Sequence, residues 1–148
     1  MSSDPGFELL LSACCISDSD AAAAGAVTVI ERRAPDWDDL LRRASFHRLE
    51  PQLSDLLERL PKGLVPVNVL ESLRDSVRDN LAGQIRYVAE FFRISEWLGK
   101  ENITVIPYKG FRLGDSAYGN IGARSSSDID LFIDLKDLAR VKEIMTEK

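Results

Sequence analysis

The amino-acid sequence predicts an α+β protein, in which an α-helical N-terminal region precedes the start of a mixed α/β core. Apolar residues recur at helical spacing through the first hundred positions, and two short runs after residue 100 have the character of strands. The 148 residues, 45% hydrophobic and 29% charged, suffice for a buried core. We place the domain division between residues 1–80 and residues 81–148.

Four helices are predicted before the loop at residues 61–63. Asp4-Pro5 combines an N-cap acceptor with proline at the first helical position, and this helix runs to about Ile16. The second helix covers Asp20 to Arg33. The third starts at Pro35-Asp36, and Pro51 opens the fourth.

The longest periodic segment forms a fifth helix, which ends near residues 99–101. Its apolar residues recur at intervals of three and four, which is the helical period. We expect them to face a core: Val69, Leu70, Leu73, Val77, Leu81, Ile85, Val88 and Phe92.

Two strands are predicted in the last third of the chain. Ile103–Ile106 is a β-branched run, and Asp128–Ile133 follows a loop rich in glycine and serine. We expect them to begin a parallel sheet, with a short helix over Phe111–Tyr118 between them. Asp134 is placed to cap a terminal amphipathic helix.

The second strand carries a candidate metal site. Residues two apart in a strand point to one face, so Asp128 and Asp130 are expected to project together while Leu131 faces a core. Paired carboxylates suit Mg²⁺ or Mn²⁺. The same Asp-x-Asp spacing at Asp18 and Asp36 marks helix starts, and aspartates bonded to loop N–H groups remain an alternative here.

A candidate phosphate site lies upstream of these carboxylates. At Lys109-Gly110 a strand enters a glycine turn and then a helix, which lets backbone N–H groups face a phosphate. Arg124 and the serine hydroxyls before the carboxylates, Ser127 included, lie where they could reach the same phosphates.

These motifs resemble the nucleotidyltransferase fold of the DNA polymerase beta superfamily over residues 105–145. The chain is similar to a family of uncharacterised bacterial nucleotidyltransferases with a K-G turn, a helix ending in tyrosine, and R-x-x-x-D-I-D-L. The matching residues are Lys109, Gly110, Tyr118, Arg124, Asp128, Ile129, Asp130 and Leu131. The turn departs from the superfamily's usual glycine–serine pair, and the N-terminal part matches more loosely.

The resemblance implies transfer of a nucleoside monophosphate from a nucleoside triphosphate (NTP) to an acceptor that the sequence does not identify. Asp128 and Asp130 would ligate two metal ions, while Lys109, Gly110, Arg124 and Ser127 would hold the triphosphate. The fold usually adds a third carboxylate from a later strand, which this sequence lacks. We therefore expect a truncated version, incomplete or inactive as it stands.

Two other functions remain open. The helical region could be a non-catalytic protein-interaction module carrying a relic nucleotide and metal site. A minimal nucleotidyltransferase of toxin–antitoxin type fits residues 124–130 but not the long helical region. His47, the only histidine, is assigned no catalytic role.

Charge and hydropathy limit the partners and the cellular location that the sequence predicts. A net charge of −5 disfavours a surface that grips nucleic acid. Neither a signal peptide nor a membrane span is apparent, so we expect a cytoplasmic protein. Open strand edges and the apolar face of the terminal helix predict self-association, most simply as a two-fold homodimer.

Overall fold

A computed structural model of the protein describes residues 4–15 and 18–147. The chain forms two compact units, Met1–Asp79 and Asn80–Lys148, and helices with one small sheet make up its α+β fold, as predicted. The elements are α1 (Pro5–Ala13), α2 (Ser19–Arg32), α3 (Trp37–His47), α4 (Glu50–Glu58), α5 (Val67–Lys100), β1 (Ile106–Tyr108), α6 (Gly110–Tyr118), β2 (Asp130–Phe132) and α7 (Leu138–Glu147).

Aspartates cap the first three helices of the first unit. Asp4 accepts a hydrogen bond from the Gly6 N–H at 3.0 Å, and Asp36 accepts one from the Asp39 N–H at 3.0 Å. These contacts satisfy N–H groups that have no partner within the helix, which confirms both predicted starts. The first helix ends at Ala13. Its predicted end, Ile16, lies outside the described residues.

Leucines from four helices fill the core of the first unit. Residues with at most 1% of their surface exposed include Leu9, Leu40, Leu53, Leu57, Val69 and Leu73. Burying each such side chain contributes about 1.5–3 kcal/mol to folding. This unit therefore has a core of its own, built from α1 to α4 and the start of α5.

The second unit packs the sheet and α7 against the end of α5. Its buried residues are Ile94, Leu98, Ile103 and Ile144, and the partly buried Leu131 and Val141 pack against them. Arg140 of α7 ties the two helices by an ion pair with Glu101, whose carboxylate lies 3.0 Å away.

The first predicted strand is displaced toward the C-terminus. Asn102 takes a left-handed conformation with φ 59° and ends α5, and the Ile103 N–H then bonds the Leu98 carbonyl at 3.0 Å. Ile103 therefore packs its apolar side chain at the end of the helix, as residues just after a helix commonly do. The strand begins only at Ile106.

The strands pair antiparallel, so the predicted parallel pairing is wrong. Ile106 lies opposite Phe132, and Tyr108 lies opposite Asp130. The connection between the two strands contains α6, a left-handed Gly119 with φ 64° and a 3-10 turn over Ile121–Ala123.

The predicted apolar stripe of α5 is buried only near its two ends. Leu81, Ile85 and Phe92 are 36%, 53% and 66% exposed, whereas the polar Gln84 is 1% exposed. The buried face of this stretch is rotated away from the stripe, because the loop before β2 packs on the side that carries Gln84.

Among the described residues, no helix is both long and apolar enough to cross a membrane.

Candidate functional site

The turn between β1 and α6 has an unusual backbone. Lys109 adopts φ 58° and ψ −145°, and the following Gly110 has φ 45°. Glycine accepts such angles freely, but a residue with a Cβ at the Lys109 position is strained by about 1–3 kcal/mol. Strain of this size persists where surrounding contacts hold a side chain in place, so Lys109 is a candidate for function.

The N-terminus of α6 is open. No side chain of the described residues caps it, and the first backbone bond of the helix runs from the Leu113 N–H to the Lys109 carbonyl at 3.1 Å. The N–H groups at residues 110–112 therefore precede that bond at the positive end of the helix dipole. The ring of Phe111 packs 5.7 Å from that of Phe91, which anchors this end of α6 to α5.

The two carboxylates lie at the start of β2. Asp130 is the first residue of the strand, with its side chain 44% exposed. Asp128 is exposed in the bend before it, so the predicted strand start at Asp128 is wrong. The Ser126 hydroxyl explains the bend, since it lies 3.1 Å from the Asp128 carbonyl oxygen and 3.3 Å from its Oδ1.

The structure brings the turn and the carboxylates together. The Lys109 ammonium lies 3.9 Å from Oδ2 of Asp130. A Cβ on Gly110 would lie 3.2 Å from the Ser126 hydroxyl and 3.7 Å from the Asp128 carbonyl oxygen. The open helix end therefore adjoins the loop that carries the carboxylates, and a larger residue at Gly110 would separate them.

Two residues of α5 that the sequence analysis missed hold this loop. Asn80 Nδ2 donates to the Gly122 carbonyl at 2.7 Å, and Gln84 Nε2 donates to the Ser126 carbonyl at 3.1 Å. The sequence indicates them only as two side-chain amides four residues apart, within a helix whose apolar residues recur at regular intervals. They fix both ends of the segment that contains Arg124.

Arg124 and Ser127, the two other predicted phosphate ligands, lie in this loop. Arg124 is partly buried, follows the 3-10 turn in an extended conformation, and forms no ion pair within the part of the chain that the structure describes. Ser127 is exposed, and Ser126 rather than Ser127 contacts Asp128. No carboxylate of residues 4–15 and 18–147 therefore pairs with the Arg124 guanidinium.

The donor set at β2 fits a hard divalent cation. Asp128 and Asp130 supply carboxylate oxygens, and both side chains reach solvent, which leaves room for waters and substrate oxygens. Mg²⁺ typically takes one or two protein carboxylates and completes its shell in this way. No cluster of three or more histidine, cysteine, aspartate or glutamate side chains able to hold a metal occurs within residues 4–15 and 18–147.

Comparison with known protein families gives a match over most of the chain. Residues 33–148 match the family described as "Uncharacterised nucleotidyltransferase". The match begins directly after α2 and covers helices α3 to α7, both strands and all of the candidate site. No curated protein and no solved structure matches the chain.

Proposed function

The chain belongs to the uncharacterised nucleotidyltransferase family, and from that premise we propose that its second unit binds an NTP with Mg²⁺ for nucleoside monophosphate transfer. The observation that supports this most is the contact between the strained turn and the carboxylate loop. Lys109 lies 3.9 Å from Asp130, beside an uncapped helix end. A phosphate-binding element thus adjoins two candidate metal ligands.

In this proposal the triphosphate lies along the start of α6. The N–H groups at residues 110–112 and the ammonium of Lys109 bind phosphate oxygens, as helix N-termini and nearby lysines commonly do. Arg124, held in the loop by the amides of Asn80 and Gln84, neutralises further negative charge. Ser127 is exposed beside it and adds a hydroxyl donor.

Asp128 and Asp130 hold the divalent ions. Mg²⁺, or Mn²⁺ in its place, supplies charge neutralisation and orients the attacking and leaving oxygens when bound. The acceptor oxygen forms a bond to the α-phosphorus, the bond from that phosphorus to the bridging oxygen breaks, and pyrophosphate leaves with the electron pair. The acceptor's proton passes to water, so no protein nucleophile is required.

In the structure Lys109 pairs with Asp130, whereas the proposal requires Lys109 to bind a phosphate and Asp130 to bind a cation. The ion pair is weak enough to allow this exchange. Both side chains are about half exposed, at 52% and 44%, and such pairs are worth only ~0–1 kcal/mol. Lys109 can therefore turn to a phosphate at little cost once a cation neutralises Asp130.

The identity of the acceptor is left unspecified in this proposal. The net charge of −5 disfavours nucleic acid as a partner. We place the protein in the cytoplasm.

Binding tests this proposal without knowledge of the acceptor. Calorimetry with Mg²⁺ and α,β-methylene analogues of the four NTPs should show binding that Asp130→Asn weakens by at least about tenfold, the effect of losing a charge-assisted contact. Asp38→Asn is the matched control, because Asp38 is an exposed member of an Asp-x-Asp pair at a helix start.

The controls separate the two candidate functions. Binding that both variants lose equally would point to general charge rather than to a site. No binding by the unmodified chain would contradict the proposal and favour the non-catalytic interaction module. Release of pyrophosphate from α-labelled NTP, with label passing to an acceptor, would extend binding to transfer.

A further inference from the structure

One face of the two-stranded sheet carries Asp130 together with three large apolar side chains. Residues two apart in a strand share a face, and directly opposed residues of antiparallel strands share it as well. Because Ile106 lies opposite Phe132 and Tyr108 opposite Asp130, these four side chains stand on one face. Leu131 stands on the other face and packs against the core of the unit.

The apolar members of this face are open to solvent. Ile106 is 59% exposed, Tyr108 46% and Phe132 54%. The rings of Tyr108 and Phe132 lie 4.5 Å apart at an interplanar angle of 50°. We call this pair the aromatic platform. The core of the second unit lies behind the opposite face, so the two rings are not part of it.

Charge adjoins the aromatic platform on one side. The Lys109 ammonium lies 5.1 Å from the centre of the Tyr108 ring and 3.9 Å from Asp130 Oδ2. The ring of Phe132 lies two residues further along β2, roughly 6.6 Å from the Asp130 position. One end of the face therefore carries an ammonium and a carboxylate beside the Tyr108 ring, and Phe132 extends the planar apolar surface away from them.

We propose that the aromatic platform binds the nucleobase of the NTP by stacking, an inference that rests on the proposed function. An NTP has the matching distribution: phosphates and their cation at one end, a planar ring at the other, and a ribose between them. Phe132 is the principal contact, because the Tyr108 ring already has Lys109 over it. Stacking on aromatic side chains accepts any base, so discrimination among the four NTPs is expected to be weak.

A second copy of the chain is the competing occupant. The self-association predicted from the sequence would cover exposed apolar surface of this kind. The nucleobase is favoured because the aromatic platform is continuous with the charged side chains that the triphosphate is proposed to contact. A dimer contact would not need its rings beside a lysine and a carboxylate.

The test compares a ligand that has a base with one that lacks it. Dissociation constants are measured with Mg²⁺ for α,β-methylene-ATP and for inorganic tripolyphosphate, using the full chain and its Phe132→Ala and Tyr108→Ala variants. Phe46→Ala is the control, since Phe46 is an 83% exposed phenylalanine in the first unit. Phe132→Leu, which keeps an apolar side chain without a ring, serves if Phe132→Ala unfolds.

Phe132→Ala should weaken α,β-methylene-ATP binding by about 5- to 100-fold and leave tripolyphosphate binding unchanged. Tyr108→Ala should lose less, and Phe46→Ala nothing. Equal affinity of the variants for the ATP analogue would overturn the inference while the proposed function stands. A concentration-dependent dimer that Phe132→Ala dissociates, with ATP binding intact, would overturn it in favour of a second copy. If neither ligand binds the unmodified chain, the proposed function fails, and this inference with it.

Discussion

The strained backbone at Lys109 makes a prediction that separates stability from function. Lys109→Gly and Lys109→Ala both remove the ammonium, and with it the exposed ion pair to Asp130 and the contact with the Tyr108 ring. These losses are common to the two variants and cancel in their comparison. What remains is the backbone at φ 58° and ψ −145°, which glycine tolerates and alanine does not.

The magnitude follows from two opposing effects. Relief of a backbone conformation that only glycine adopts readily is worth about 1–3 kcal/mol. Glycine gives back ~0.4–1 kcal/mol of this, because it makes the unfolded chain more flexible. Taking the middle of each range, Lys109→Gly should be more stable than Lys109→Ala by about 1.3 kcal/mol. Both variants should bind NTP analogues about 10- to 150-fold more weakly than the original chain, through loss of one charge-assisted contact.

Urea unfolding of the second unit is the appropriate assay. Trp97 packs against the core of that unit, so its fluorescence reports unfolding there once the other tryptophan is removed by Trp37→Phe. Calorimetry on the same variants gives the nucleotide affinities. Equal stability of the glycine and alanine variants would refute the strain argument. Undiminished nucleotide affinity in both would refute the role of Lys109 as a phosphate ligand.

Two further predictions concern the contact between the turn and the carboxylate loop. Gly110→Ala should lower the free energy of unfolding by about 1–2 kcal/mol, because a Cβ is unfavourable at its left-handed φ of 45° and would lie 3.2 Å from the Ser126 hydroxyl. Gly83→Ala is the control, since Gly83 lies in α5 with open space around it. This variant should instead raise the free energy of unfolding by up to ~1 kcal/mol in the same urea assay. Gln84→Leu should change stability by less than about 1 kcal/mol, since losing the bond to the Ser126 carbonyl is offset by removing a buried Oε1 that has no partner among the described residues. It should nevertheless speed amide hydrogen exchange at residues 124–130 and weaken nucleotide binding; unchanged exchange would mean that Gln84 does not position the loop.

The helices were largely predictable because their signals are local. Aspartate caps at Asp4 and Asp36 and the leucine spacing of α4 depend on neighbours within one or two turns, and the structure confirms them. The family was predictable for a related reason, since its motif occupies one continuous stretch of sequence. The K-G turn and the D-I-D-L strand are about twenty residues apart, and the family match includes both.

The predictions that were wrong depend on contacts between distant parts of the chain. Whether Leu81 or Gln84 of α5 is buried is decided by which loop packs there, and apolar periodicity alone does not contain that information. The direction of strand pairing likewise depends on the path of the whole connection between the strands, which the pattern of either strand does not contain. The roles of Asp128, Asp130, Lys109, Arg124 and Ser127 remain predictions.

The most direct test of the central claim locates a bound cation. With Mn²⁺ and an NTP analogue in place of Mg²⁺·NTP, paramagnetic broadening in amide NMR spectra should be strongest around residues 109–111 and 126–130. Asp130→Asn should abolish it at both segments. Broadening centred instead on the other Asp-x-Asp pairs, at Asp18–Asp20 or Asp36–Asp38, or unaffected by Asp130→Asn, would contradict a metal–nucleotide site between the turn and the carboxylates.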